Sequence, residues 1–217
     1  MRIRDEKSLR RRGPVRAPYD YVLIVCEGSK TEPNYLRAMI KALRLSSANV
    51  VVSGDGGSAP QTVVADAIRL FGQDPNYDRV YCVFDKDGHP RYLNALQQIE
   101  QKSLTRRQGK TVLGKAEFHA ITSVPCFEYW LLLHFTYTDA ELRRYADVLP
   151  RLRSFPGFKD YDKGATAVYA VTKDRLPAAM ANAERANAAA KADGRDNPTT
   201  RMPELVTYLQ ALADQRK

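Results

Sequence analysis

Hydrophobic positions in this chain gather into short runs, and then into stripes. Tyr21-Val-Leu-Ile-Val25 and Val80-Tyr-Cys-Val-Phe84 are continuous and rich in β-branched or aromatic residues. Runs of that length are too short for helices of their own and predict buried strands at about 21–26 and 79–84. Residues 49–53 and 118–122 have the same character. Between them the apolar spacing changes to three and four. Tyr35, Leu36, Met39, Ile40 and Leu43 predict an amphipathic helix over about 33–45. Val64, Ala67, Ile68 and Phe71 predict another over 61–71, and a third helix is expected over about 90–102. The order β-α-β-α-β-α-β implies an α/β fold: a mostly parallel sheet of about four strands, flanked by helices and joined by right-handed crossovers.

Beyond Pro125 only helical patterns follow. Residues 127–135 are strongly apolar, and 139–160 are charged and helical, with breaks expected at Pro150 and Pro156. Residues 165–192 are alanine-rich, with an interruption expected near Pro177. A loop at 193–198 precedes a last helix over 202–215 that begins around Pro203. The expected organisation is a disordered basic leader (1–18), an α/β domain (19–125) and a helical C-terminal region (126–217) packed on it.

Both continuous runs end in acid. Val25 leads into Cys26-Glu27-Gly28, and Phe84 into Asp85-Lys86-Asp87-Gly88. Open α/β sheets bind ligands just past the carboxyl ends of their strands. In extended backbone Asp85 and Asp87 point to one side and Lys86 to the other. Carboxylates so close repel unless a cation lies between them. Glu27, Asp85 and Asp87 are therefore expected as metal ligands for Mg²⁺ (or Mn²⁺), whose chemistry is largely that of phosphates.

Charge sharpens this picture. The chain of 217 residues carries a formal +9, and residues 1–16 hold seven Lys/Arg against Asp5 and Glu6. That leader reads either as an arm for a polyanion or as a solvated tail. A second basic stretch, 105–115, contains Arg106, Arg107, Lys110 and Lys115 with no acid, and is expected to be a loop. Three cysteines without a C-x-x-C spacing argue against a disulfide framework or a zinc ribbon and suit a cytoplasmic setting. No apolar run approaches a membrane span, so no membrane partner is expected. Gly54-x-Gly56-x-x-Ala59 imitates a dinucleotide fingerprint, but on the second strand and without the expected acid. Gly109-Lys110-Thr111 lacks the first glycine of a phosphate loop, since Leu104 stands in its place.

Four separated blocks carry a resemblance. They are Ile24-Val-Cys-Glu-Gly-Ser-Lys-Thr-Glu-Pro33 with Tyr35, Val83-Phe-Asp-Lys-Asp-Gly-His89, Pro125-Cys-Phe-Glu-Tyr-Trp-Leu-Leu-Leu-His-Phe135 and Asn197-Pro-Thr-Thr200. Together they resemble the RloB-like family, toprim-related proteins found beside restriction and phage-defence genes. Ser123-Val124 departs from the pattern, which has a small residue and then Asn before the Pro-Cys pair. The resemblance implies a toprim-like metal-dependent nuclease that acts on nucleic acid (RNA such as tRNA, or DNA) in bacterial defence. By position, Glu27 would bind metal or act as acid/base, and Asp85 and Asp87 would be ligands. Lys30 would steady a phosphate oxygen and Glu32 would join the acids. Glu128 has two readings, a metal ligand from the second lobe or a favourable charge at a helix N-terminus. His134 is expected to be an interior histidine. The leader and residues 105–115 would contact nucleic acid. An ATPase partner is implied by the family, and the alternative to catalysis is a binding or regulatory module acting through that ATPase.

Overall fold

The two apolar runs become neighbouring parallel strands. The computed structural model describes residues 20–46, 50–54 and 59–215; the leader 1–18 and most of the glycine turn 54–58 lie outside them. β1 (Val22–Cys26) pairs with β3 (Arg79–Asp85), Val22 lying opposite Arg79 and Cys26 opposite Val83. β2 (Val50–Ser53) runs parallel to β1 on its other side, and β5 (Thr111–Val124) runs parallel to β3. The parallel part has the order β2-β1-β3-β5. Its crossovers carry α1 (Thr31–Ala42), α2 (Pro60–Gln73) and α3 (Tyr92–Gln101).

Two antiparallel strands complete the sheet at six, beyond the expected four. β4 (Leu104–Gln108) pairs with β5, so the basic stretch 105–115 is a hairpin and not a loop. Only Leu104 of β4 is buried. A strand at a sheet edge is held by its backbone ladder, and Thr-Arg-Arg-Gln offers no apolar alternation to read. β6 (Thr199–Thr200) pairs with Ser123 and Val124, and two residues are too few to show a pattern.

Alternation divides the side chains of the strands between two cores. Leu23, Val25, Val80, Cys82 and Phe84 pack with α2 and α3. Val22, Ile24, Cys26, Tyr81 and Val83 pack with α1 and the C-terminal helices. Those helices are α4 (Phe127–Leu133), α5 (Tyr145–Arg153), α6 (Val168–Thr172), α7 (Leu176–Ala192) and α8 (Met202–Asp214). One apolar core thus joins the C-terminal region to the sheet. All seven residues of α4 are buried, the charged Glu128 among six apolar or aromatic neighbours. The chain differs from expectation at Pro150, which lies inside α5 without ending it. Val148 and Leu152, both fully buried, hold that short helix against the core. The alanine-rich stretch is interrupted by a 3₁₀ turn at Lys173–Arg175, with Pro177 in the first turn of α7. Among the described residues no helix is long and apolar enough to cross a membrane.

Because β1, β3 and β5 are parallel, Cys26, Asp85 and Ser123 finish at one edge of the sheet. The β4–β5 hairpin precedes Glu117, which lies opposite Arg79, so it projects from the other edge.

Candidate functional site

Glu27 follows the last residue of β1 and Asp85 is the last residue of β3. Parallel pairing brings them side by side: Oε2 of Glu27 accepts a hydrogen bond from the Asp85 backbone N–H at 3.0 Å. On its other side, Oε1 of Glu27 lies 3.3 Å from Nε2 of His89. The Glu27 carboxylate is therefore fixed from two directions. Gly28 and Gly88 take φ of 67° and 72°, the left-handed turn that lets the chain leave each strand directly after its acids.

The backbone is no longer extended at Asp87. Its N–H donates to the carbonyl of Pro125 at 2.9 Å and that of Lys86 to Ser123 at 3.1 Å, and a turn follows. Simple strand alternation thus does not place Asp87, yet it lines the same cleft as Asp85. Lys86 does point elsewhere, to the carboxylate of Asp196.

The cleft has a volume of about 280 Å³, and Glu27, Lys30, Glu32, Asp85, Asp87 and Glu128 all line it, with Thr31, His89 and Lys163. All six residues singled out in the sequence are brought together, from both strand ends, the start of α1 and the start of α4. Glu128 is 2% exposed. The hydroxyl of Tyr161 donates to its Oε1 at 2.9 Å, while its Oε2 is buried with no partner among the described residues. No side chain caps α4 by a hydrogen bond; the Glu128 carboxylate belongs to the cleft wall.

Crowding governs the electrostatics. Burial, and then the charges of Glu32 and Glu128, hold the Asp85 carboxyl well above the usual carboxylate range. Glu32 is pushed up to about 7, chiefly by burial; a backbone hydrogen bond opposes the shift, and Glu128 and Glu27 add to it. Burial disfavours the Lys163 ammonium, but Glu128 and Asp85 outweigh that and raise its pKa. His134 stands apart from the cleft. Its Nδ1 lies 3.0 Å from the carbonyl of Trp130 and its Nε2 lies 3.4 Å from the Tyr35 hydroxyl. Burial lowers its pKa to about 4, as suits a neutral interior histidine.

Lys163 and Tyr161 are the functional candidates that sequence reasoning missed. They lie on the segment between α5 and α6, where no apolar period or motif marks them. Tertiary contact delivers them: Gly164 donates its N–H to the Thr31 hydroxyl at 3.1 Å, joining this segment to the start of α1. His89 was visible only as the end of its block. Gly109 and Lys110 form the hairpin turn and take no part in the cleft.

Among the described residues no three His, Cys, Asp or Glu side chains form a ready ligand cage. The carboxylates line a wall and do not enclose a point. Mg²⁺ keeps most of its waters and commonly needs only one or two carboxylates, with substrate phosphate completing the shell. All-oxygen donors, mutual repulsion and the bare Oε2 of Glu128 fit such an ion.

Strand ends that present carboxylates and lysines to one cleft define the class: an α/β protein with an oxygen-donor site at the carboxyl edge of its sheet. A family model described as RloB-like protein matches residues 22–209. The chain belongs to the RloB-like family. The match spans all six strands and every cleft residue named above. No curated protein and no solved structure matches the chain.

Proposed function

We propose that this protein is a toprim-like nuclease dependent on Mg²⁺ or Mn²⁺, hydrolysing phosphodiester bonds of nucleic acid in a bacterial anti-phage defence system. The observation that carries the reading is the contact between Glu27 and the Asp85 N–H at 3.0 Å, which seats both acids in one cleft. Residues 58 apart in sequence meet there at the position where α/β sheets bind ligands. RNA such as tRNA, or DNA, is the substrate class, and the defence setting and an ATPase partner rest on the family likeness.

Asp85 and Asp87, with Glu27, would hold the ion from the strand ends. Bound there, it would activate water and neutralise charge on the scissile phosphate. Lys30 and Lys163 face the acids and supply cations for phosphate oxygens. Glu27, fixed by the Asp85 N–H and beside His89, keeps its orientation without rearrangement. Glu32, pushed up to about 7, exchanges a proton near neutral pH and suits the acid/base role.

The test is cleavage of labelled tRNA, single-stranded RNA and DNA with Mg²⁺, against chelator and against Asp85→Asn. We expect loss of at least ~10²–10³-fold in the variant, comparable to deleting one transition-state contact. Cleavage at the wild-type rate by Asp85→Asn would sink the proposal.

A further inference from the structure

A polyanion approaching the cleft meets five carboxylates and only two lysines. Even with a bound divalent ion, that site offers little net attraction to a long phosphate chain. Affinity for nucleic acid has to come from elsewhere on the protein, and sequence-independent affinity comes from exposed Lys and Arg.

The β4–β5 hairpin meets this need. Residues 101–116 contain no acid, and Lys102, Arg107, Lys110 and Lys115 are exposed. Val112, beside the turn, is 56% exposed. The hairpin is braced along its length by Arg106, which pairs with Asp78 at 2.7 Å, and by the Arg107 N–H, which donates to Pro75. The hairpin is thus a braced arm with an outward cationic surface.

Its position decides what it can grip. The register sets Arg79 opposite Glu117 at one edge and Asp85 opposite Ser123 at the other. Six residues of strand separate the edges, roughly 20 Å at the usual rise. The turn lies six further residues out along β5, roughly 40 Å from the acids if straight. At about 3.4 Å per step of duplex DNA, and less in an A-form RNA stem, those distances correspond to at least roughly six to twelve steps.

We infer that the β4–β5 hairpin is a distal clamp for the phosphate backbone, so that the favoured substrate is a nucleic acid stem or duplex long enough to reach from hairpin to cleft. The inference rests on the nuclease reading for its substrate. Its test is separate.

Binding is measured in the Asp85→Asn background by fluorescence anisotropy, with RNA stems of four, eight, twelve and sixteen base pairs at several salt concentrations. The comparison is the same chain carrying Arg107→Ala, Lys110→Ala and Lys115→Ala; the single Lys110→Ala variant and a thermal melt guard against misfolding. The clamp predicts that affinity rises with stem length only while the three cations are present. Their removal weakens the sixteen-pair stem by at least tenfold and lowers its salt slope by about 3, and it weakens the four-pair stem, too short to reach hairpin and cleft together, by much less. Equal affinity of both proteins for the long stem overturns the inference and leaves the hairpin as a surface for an acidic protein. Equal loss at all lengths also overturns it. If the wild type cleaves nothing yet the length dependence appears, the nuclease reading fails while the clamp stands.

Discussion

Glu128 and His134 lie six residues apart at the two ends of one buried helix, and their surroundings treat them oppositely. Glu128 keeps one donor, Tyr161, leaves its other oxygen without a partner, and lines a cleft of like charges. His134 is enclosed by Trp130 and Tyr35 and held neutral. The sequence showed an acid and a histidine in a greasy stretch; burial and partners separate their roles. pH dependence follows at this scale. The unfolded chain protonates His134 below about 6.5, whereas the folded chain refuses that proton down to about 4. Stability from this residue is therefore lost as pH falls through that window, by ~3 kcal/mol in full. Glu32 acts the other way. Its folded form keeps a proton up to about 7 that the unfolded chain gives up near 4.5, so stability falls as pH rises between them. Urea midpoints from pH 4 to 7.5 should show the acid-side loss vanish in His134→Gln and the neutral-side loss flatten in Glu32→Gln. Three parallel curves would refute both assignments.

Helix α4 was legible as an apolar stretch, but its neighbours were not. Helix α7 packs on it through small residues: Ala179, Ala183 and Ala186 share the core that holds α4. Alanines four and three apart let two helices approach closely, so the composition that reads as helix propensity in sequence also sets a packing distance. Ala183→Leu should overfill that contact and cost about 1–3 kcal/mol by urea unfolding. The same change at exposed Ala181 should be nearly neutral. Equal effects at the two positions would show that α7 does not pack as described. The hairpin is the reverse case. Its strand β4 has almost no buried side chain, so nothing in its polarity announces a strand, and pairing with β5 alone creates it.

Across the whole molecule, the cleft draws Glu27 and Asp85 from the sheet, Glu128 from the helical region and Lys163 from the segment that follows it. Its crowded acids oppose folding, and a divalent ion held there would relieve them. MgCl₂ or MnCl₂ should therefore stabilise the wild type, by about 1.4 kcal/mol at ten times Kd, with the gain reversed by chelator. Without metal, Asp85→Asn should melt at or above the wild-type temperature, and it should respond far less to the ion. A wild-type melt indifferent to both ions would remove the metal from the site. Much of this architecture is written locally. Continuous apolar runs in the strands, period three to four in the helices and the acids that end two of those runs specify a parallel α/β sheet and the residues at its carboxyl edge, because those signals depend only on neighbours along the chain. The depth at which each carboxylate is buried, the arrival of Lys163 and Tyr161, and the distance from cleft to hairpin depend on strand register and on contacts between remote segments. Only the folded chain decides those.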